Sequence, residues 1–232
     1  MNNNLKYIGL IIVVILFGIF SIPKIYERVI NLDIKDSNRL NKNERLSFLS
    51  ISNEKRKAPD FILTNQDSIL ISNEDLTGKV YVLEFFFTRC PDICIEMNKN
   101  MKLLDEKFGD SNDFGIVSIT IDPENDNPST LKEYSEALDI QSQNWHFLTG
   151  DKDYIYDLAN NGFNIYANQN ASFVGGFEHQ GYFALIDKDG YIRSRNDSFG
   201  NPIMYYLGIN DINAIQQGIG MLNYDIKKLI DE

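Results

Sequence analysis

The stretch that decides the fold is Val80-Tyr-Val-Leu-Glu-Phe-Phe-Phe87-Thr-Arg-Cys90-Pro-Asp-Ile-Cys94. Its near-continuous apolar run over residues 80–87 predicts a central strand buried on both faces, because parallel strands covered on both sides lose the alternation of half-exposed strands. Pro91 suits the first turn of a helix that follows the strand, since its missing N–H has no partner there. The predicted helix carries an apolar stripe that ends at a glycine: Ile93, Met97, Met101, Leu104, Phe108 and Gly109.

Strands and helices continue to alternate after this stretch. Asn127 and Pro128 make a good N-cap and first helical position, and Lys188-Asp-Gly190 predicts the turn of an antiparallel hairpin. The order predicts an α/β layer fold with right-handed crossovers, in which sites form at the carboxyl ends of strands, where Cys90 lies. The predicted strands are residues 114–121, 145–148, 182–187 and 191–194, and the predicted helices carry Leu131, Tyr134 and Leu138, then Ile155, Leu158 and Ala159, and finally Ile212, Ile215, Ile219, Leu222, Ile226 and Leu229.

Cys90 and Cys94 are the only two cysteines of the chain. Two thiols four residues apart at the start of a helix would lie one turn apart on one face, close enough to form a disulfide or to share one metal ion. The helix N-terminus favours thiolate over thiol. Two thiolates with an imidazole suit copper better than magnesium or calcium. These residues therefore predict copper binding or dithiol redox chemistry, with two buried core cysteines as the alternative.

Several neighbouring residues have both a functional and a structural interpretation. Asp92 either supports a ligand by a hydrogen bond or only stabilises the first helical turn with its charge. Met97 and Met101 fall on the apolar stripe and are predicted to lie in the core, although a thioether is a copper ligand type. His146 is predicted to be a strand residue outside the site. Asp122 and Asp126 are predicted to build the turn before the next helix.

Composition excludes several classes of function. The chain has 232 residues, of which 43% are hydrophobic, and a formal net charge of -11. Such a charge argues against nucleic acid as a partner, because phosphates would repel it. The sequence has no nucleotide-binding glycine loop and no serine-type nucleophile elbow. We therefore do not expect an enzyme in the ordinary sense.

The N-terminus is predicted to be a membrane anchor. Residues 7–22 carry no charge between Lys6 and Lys24, a length near the lower limit for a transmembrane helix if the lysines extend to the interface. The predicted organisation is an anchor over residues 1–24, a linker or stalk over residues 25–57, and a compact domain over residues 58–232. Counted alone, the basic residues that follow the anchor favour a cytoplasmic domain.

Four motifs in a fixed order resemble the SCO/SenC copper chaperones. They are Cys90-Pro-Asp-Ile-Cys94, the run from Asp122 through Pro128 to Leu131, Leu148-Thr-Gly-Asp151, and His179 before a hairpin that ends at Gly190. The resemblance covers about residues 58–232. It implies a thioredoxin-like fold with a central mixed sheet flanked by helices, an N-terminal transmembrane helix, and a role in assembling the dinuclear copper centre of cytochrome c oxidase.

The same resemblance implies the site and its partners. Copper, as Cu(I) or Cu(II), would be bound by Cys90, Cys94 and His179, with Asp92 beside the ligands and the cysteine pair redox-active, forming a disulfide when oxidised. The partners would be the copper-bearing subunit of cytochrome c oxidase, a copper donor and a thiol reductant. The protein would be a single-pass protein of the inner (cytoplasmic) membrane, with its domain on the periplasmic or extracytoplasmic side. Ile95, where many members have proline, departs from the family pattern and bears on fine tuning rather than on the site.

Two rival functions remain open. The first is a thiol-disulfide oxidoreductase that reduces the cysteines of a copper-site partner. Against it, thioredoxin-type enzymes space their cysteines by two residues rather than three, and no proline occurs between Pro128 and Pro202 to face the cysteines. The second is a redox-sensing or copper-sensing interaction protein.

Overall fold

The computed structural model describes residues 16–23, 45–52, 54–196, 201–209 and 218–232. The chain divides into two units, Met1–Glu44 and Arg45–Glu232. In the first unit, residues 16–23 are helical. None of the helices in the described ranges combines the length and the apolar character that crossing a membrane requires. Most of the predicted anchor and residues 25–44 of the predicted linker lie outside the described residues.

A mixed β-sheet forms the centre of the second unit. Its strands are β1 (Ser47–Phe48), β4 (Ile62–Asn65), β5 (Leu70–Ser72), β6 (Val80–Phe86), β7 (Phe114–Thr120), β8 (Trp145–Thr149), β11 (Tyr182–Ile186), β12 (Ile192–Ser194) and β13 (Tyr206–Leu207). Within the described residues it contains nine strands, in the order β1, β12, β11, β6, β7, β8, β4 and β5, with β13 paired to β11. Strands β6, β7 and β8 are parallel, and β11 and β4 join them antiparallel on either side.

Two short ribbons lie outside the main sheet. Strands β2 (Ser50–Ile51) and β3 (Glu54–Lys55) pair with each other. Strands β9 (Ala167–Gln169) and β10 (Phe177–His179) form the second antiparallel ribbon. This second ribbon carries His179.

The buried-strand prediction is confirmed, because every residue of β6 is buried. Strand β7 is buried along its whole length as well. The predicted hairpin is confirmed by β11 and β12, and Gly190 in its turn has a φ of +81°, a conformation that favours glycine. The α/β class and the mixed sheet flanked by helices follow from these elements.

Four α-helices accompany the strands in the described residues of the second unit. They are α1 (Ile93–Phe108), α2 (Pro128–Ala137), α3 (Lys152–Asp157) and α4 (Ile219–Ile230). Asn127 accepts a hydrogen bond from the Thr130 N–H, which confirms the predicted N-cap of α2. Helix α3 continues as a π-helical segment, Leu158–Phe163. The predicted stripe of the last helix is described only from Ile219 onward; Ile212 and Ile215 lie outside the described residues.

The start of α1 differs from the sequence-based expectation. Pro91 was expected in the first helical turn, but the helix begins at Ile93 with Asp92 at the N-cap position. The cause is the backbone of Asp92, whose φ of -130° and ψ of -115° are not helical. Cys94 is therefore in the first turn of the helix and Cys90 is in the loop before it. The predicted end of α1 at Gly109 is confirmed.

The compact unit also begins earlier than the expected boundary at Ala58. Strand β1 adds an edge to the main sheet by pairing with β12. Leu46 and Leu49 are buried in the core, with 3% and 7% of their surface exposed. Two buried leucines that flank the edge strand β1 thus join residues 45–49 to the folded unit.

Candidate metal centre

The loop that follows β6 is fixed by a buried carboxylate. Asp126 accepts hydrogen bonds from the backbone N–H of Thr88, at 3.0 Å, and from the Thr88 hydroxyl. The Thr120 hydroxyl, at the end of the neighbouring strand β7, donates to the same carboxylate. Asp126 is fully buried, so these bonds are made where water does not compete for them. The start of the Cys90 loop is thereby tied to the end of β7.

An ion pair connects the same two loops on their outer side. Arg89 contacts Asp122 at 2.7 Å, with the Arg89 side chain largely exposed and the Asp122 carboxylate buried. Asn125 also donates to this carboxylate. The predicted turn-building role of Asp122 and Asp126 is confirmed, and both also hold the residues directly before Cys90.

The two thiols meet across the loop and the first turn of α1. Cys90 is half-buried and Cys94 is buried. A hydrogen bond from the Cys94 side chain lowers the pKa of Cys90, with further help from His179 and from the backbone N–H of Asp92, whereas burial opposes the shift. Burial and the neighbouring Cys90 sulfur raise the pKa of Cys94. The metal-free pair therefore holds one thiolate, at Cys90, and one thiol, at Cys94.

His179 reaches this pair from the β9–β10 ribbon. Its Nε2 atom lies 3.1 Å from the Cys94 sulfur. On the other side of the ring, Nδ1 lies 3.3 Å from the carbonyl oxygen of Gln180. An Nδ1–H that donates to this carbonyl leaves the Nε2 lone pair directed at the cysteines, the tautomer that a metal ligand needs. The Phe87 ring packs edge-on against the imidazole at 6.0 Å between centroids.

The donor atoms of Cys90, Cys94 and His179 all lie within 4.8 Å of one another. They border a cavity of about 260 Å³ that opens beside Phe173 and Phe177. Two sulfurs and one imidazole nitrogen form a soft donor set, which fits copper and not the oxygen-preferring cations. The structure therefore brings together the three residues that sequence reasoning selected, even though Cys90 precedes the helix.

The other predicted residues take structural positions. The carboxylate of Asp92 is exposed and makes no helix-capping bond, so the residue supports Cys90 through its backbone N–H instead. Met97 and Met101 are fully buried core residues, as predicted. His146 lies in β8 opposite Val117, away from the cysteines.

Sequence reasoning did not find two contacts that shape the site. The first is the hydrogen bond between Asp126 and Thr88. The sequence feature that could have indicated it is the threonine two residues before the first cysteine. The second is Gly175, which has a φ of +85° and lies so close to Phe87 and Pro91 that a Cβ atom would be 3.0 Å and 3.2 Å from them. The sequence feature that could have indicated this close contact is the Gly175-Gly176 pair shortly before His179.

Comparison with known proteins decides the family. The SCO1/SenC family model matches residues 50–211. The chain belongs to the SCO1/SenC family. This family membership confirms the resemblance drawn from the four motifs.

Individual relatives agree with this assignment. The chain is 41% identical over 91 residues to the SCO1 protein homolog of Bacillus subtilis, a match that covers 39% of this chain and about half, 47%, of that relative. A solved structure of BsSco, described as a member of the Sco family of cytochrome c oxidase assembly proteins with a disulfide switch, is 29% identical with a TM-score of 0.60, covering 75% of this chain and 94% of that one. Copper-bound ScoI of Bradyrhizobium japonicum, 22% identical with a TM-score of 0.55 and covering 75% and 99%, shares the fold. The thioredoxin-like fold is thereby confirmed.

Proposed function

We propose that this protein is a copper metallochaperone that binds one copper ion through Cys90, Cys94 and His179 and helps to assemble the dinuclear copper centre of cytochrome c oxidase. The observation that carries the proposal is the clustering of these three donor atoms within 4.8 Å. Copper is bound in Bradyrhizobium japonicum ScoI, and we extend it to this chain on the donor set, since that likeness by itself shows only the fold.

The arrangement of the three residues suits an ion that must be delivered as well as held. Cys90 offers a thiolate before the metal arrives, whereas Cys94 releases its proton on binding, so copper loading is coupled to proton release. Cys90 and His179 are only half-buried. Ligands of a partner protein can therefore approach the ion from the open side, while the buried Cys94 retains it until the exchange is complete.

The cellular setting is part of the same proposal. The family includes proteins described as cytochrome c oxidase assembly proteins, and we extend this role to the present chain. Its partners are the copper-bearing subunit of the oxidase, a copper donor and a thiol reductant. The uncharged residues 7–22 support a single-pass anchor in the inner membrane, with the domain on the extracytoplasmic side.

Copper titration of the reduced full chain tests the proposed site. We expect one copper per chain and visible bands from thiolate-to-Cu(II) charge transfer. His179→Ala should weaken copper retention and shift these bands, because one of three ligands is lost. His146→Ala is the matched control, since it removes the chain's other histidine from a strand outside the site, and it should behave like the wild type. Equal copper binding and spectra for His179→Ala and the wild type would remove His179 from the site.

A dithiol reductant is the second candidate, because the two thiols differ in protonation and lie together. A low-pKa thiol at the surface of the pair and a protonated thiol beneath it are what disulfide exchange requires. Metal-free reduction of a disulfide substrate, lost in Cys90→Ser, would support this activity. The two roles are compatible, and turnover without any copper binding would replace the first proposal with the second.

A further inference from the structure

An asparagine in the π-helical segment Leu158–Phe163 holds the ribbon that carries His179. The side chain of Asn160 accepts a hydrogen bond from the backbone N–H of Ala167 at 3.1 Å and donates to the carbonyl of the same residue at 2.9 Å. Ala167 is buried, begins strand β9 and pairs with His179 of β10. Both backbone groups of Ala167 therefore face away from β10, and Asn160 satisfies them as a neighbouring strand would.

The Asn160 side chain is itself anchored to the main sheet through Tyr156. Its second amide hydrogen is donated to the Tyr156 carbonyl at 2.9 Å, and the Tyr156 hydroxyl donates to the carbonyl of Ile121, directly after β7, at 2.9 Å. The Ile121 N–H donates in turn to the carbonyl of Phe86, the last residue of β6. A path of hydrogen bonds thus joins strand β9 to the edge of the sheet where the Cys90 loop begins.

Gln180 closes the end of the ribbon beside His179. Its side-chain carbonyl accepts from the Tyr166 N–H at 2.9 Å, and its backbone N–H donates to the Tyr166 carbonyl at 3.1 Å. The backbone carbonyl of Gln180 faces Nδ1 of His179 at 3.3 Å. Tyr166 directly precedes Ala167, the residue that Asn160 holds. The place of the imidazole and of its Nδ1 partner therefore depends on where β9 lies.

We propose that Asn160 is a positioning residue for His179: it holds β9, and through it the imidazole, against Cys94 before copper binds. The contact of 3.1 Å between Nε2 and the Cys94 sulfur means that the nitrogen ligand is already in place, so less conformational freedom is lost on binding. The location of Asn160 agrees with this role, since π-helical segments are rare and frequently lie at functional sites. The inference rests on the copper site of the proposed function and deepens it.

Copper titration of the reduced full chain in a double-mutant cycle tests the proposal. Asn160→Ala should weaken copper binding by about tenfold, the lower end of what losing a partner that orients a metal ligand costs. It should also shift the thiolate-to-Cu(II) bands toward those of His179→Ala. In the His179→Ala background the same substitution should change neither quantity, because no imidazole is left to position. A loss of equal size in both backgrounds would overturn the proposal.

Two further variants accompany the cycle. Asn161→Ala is the matched control and should behave like the wild type, because Asn161 belongs to the same segment but is exposed and bonds to Asp157 instead of the ribbon. Asn160→Asp is nearly isosteric. It keeps the acceptor for the Ala167 N–H and removes both donated hydrogen bonds, so it should shift the bands in the same direction as Asn160→Ala.

A metal-free measurement separates this inference from the proposed function. The chain has two histidines, so the ring ¹⁵N signals of His179 are assigned with His146→Ala. In the metal-free reduced protein these signals should shift in Asn160→Ala and not in Asn161→Ala, and unchanged signals in Asn160→Ala would overturn the proposal. If copper binds equally to the wild type and His179→Ala while the ring signals do respond to Asn160→Ala, His179 is not a copper ligand but its positioning by Asn160 stands.

Discussion

At the scale of single residues, Glu84 makes the stability of the domain fall as pH rises. Burial in β6 raises its pKa from the ordinary value of 4.5 to about 8 in the folded protein, so the folded state binds more protons than the unfolded state between these values. Stability is then highest below the ordinary value and declines through this window by at most about 1.4 kcal/mol per pH unit. Relative to Glu84→Gln, the wild type should lose on the order of 4 kcal/mol of unfolding free energy from about pH 5 to about pH 8.

Urea unfolding of the two proteins at several pH values measures this difference. All other titrating groups are common to both proteins, so their contributions cancel in the comparison. A difference in unfolding free energy that does not change with pH would show that Glu84 is ionised in the folded state, and would contradict the buried neutral acid.

Asp126, in the loop after β7, should be the residue on which the loop before Cys90 depends most. Asp126→Asn replaces an acceptor of three hydrogen bonds, two from Thr88 and one from Thr120, with a group that presents N–H toward at least one donor. We expect a loss of about 2–4 kcal/mol of unfolding free energy, since unsatisfied buried donors cost about 1–3 kcal/mol each. Glu124→Gln, at an exposed acid in the same loop, should change stability by less than about 0.5 kcal/mol. Denaturant unfolding of the two variants measures this difference. Equal stability would contradict the conclusion that Asp126 holds the loop before Cys90.

At the scale of elements, the β9–β10 ribbon sets the position of His179 through its connecting turn. Gly175 and Gly176 both have positive φ, +85° and +84°, so alanine at either position strains the backbone by about 1 kcal/mol. Only at Gly175 would the new Cβ also meet Phe87 and Pro91; at Gly176 it meets nothing within 4 Å. Gly175→Ala should therefore push the ribbon away from the Cys90 loop.

Comparing Gly175→Ala with Gly176→Ala separates the effect of backbone strain from the effect of the contact with Phe87 and Pro91. We expect both to be destabilised, but only Gly175→Ala should also change the thiolate-to-copper spectrum and weaken copper binding several-fold, because His179 is displaced. Visible absorption of the copper-loaded proteins is the measurement. If Gly176→Ala changed the spectrum as much as Gly175→Ala, the contact with Phe87 would not position the histidine.

Local sequence signals predicted most elements but not the start of α1. The N-cap at Asn127 and the apolar stripe of α1 depend only on residues close in sequence, so they can be predicted from the sequence. Pro91 is compatible with both a first helical turn and the preceding loop. The choice between them is made by Asp92, whose backbone N–H faces the Cys90 sulfur, and this is a contact that spacing does not predict.

At the scale of the whole molecule, the ligand set was more predictable than the structure that supports it. Cysteine and histidine are rare here, so motif order was enough to select Cys90, Cys94 and His179. The bond from Thr88 to Asp126 spans 38 residues and exists because β6 and β7 are neighbours in the sheet. Glu84 had a visible signal as the lone acid in an apolar strand. Its hydrogen bond from Ser118 depends on the pairing of β6 with β7, which no local pattern specifies.

At this scale we predict that the N-terminal segment, residues 45–57, stabilises the folded domain. Residues 45–57 bring two buried leucines, Leu46 and Leu49, and the edge strand β1 to the sheet. Arg193 of β12 donates to the Leu46 carbonyl at 2.7 Å while also pairing with Asp187, so removing the segment leaves a buried guanidinium short of one acceptor. The fragment 58–232 should therefore be less stable than the fragment 45–232 by about 2–5 kcal/mol, the cost of losing buried leucine contacts.

Thermal and urea unfolding of the two fragments measure the loss. Ile51→Ala in the longer fragment is the matched control, because Ile51 belongs to the same segment but is 55% exposed, and it should change stability by less than about 0.5 kcal/mol. Leu49→Ala should reproduce much of the loss seen on removing the segment. Equal stability of the two fragments would mean that residues 45–57 are a linker after all. A stabilising edge strand would instead place the N-terminal boundary of the folded unit at residue 45 rather than at residue 58.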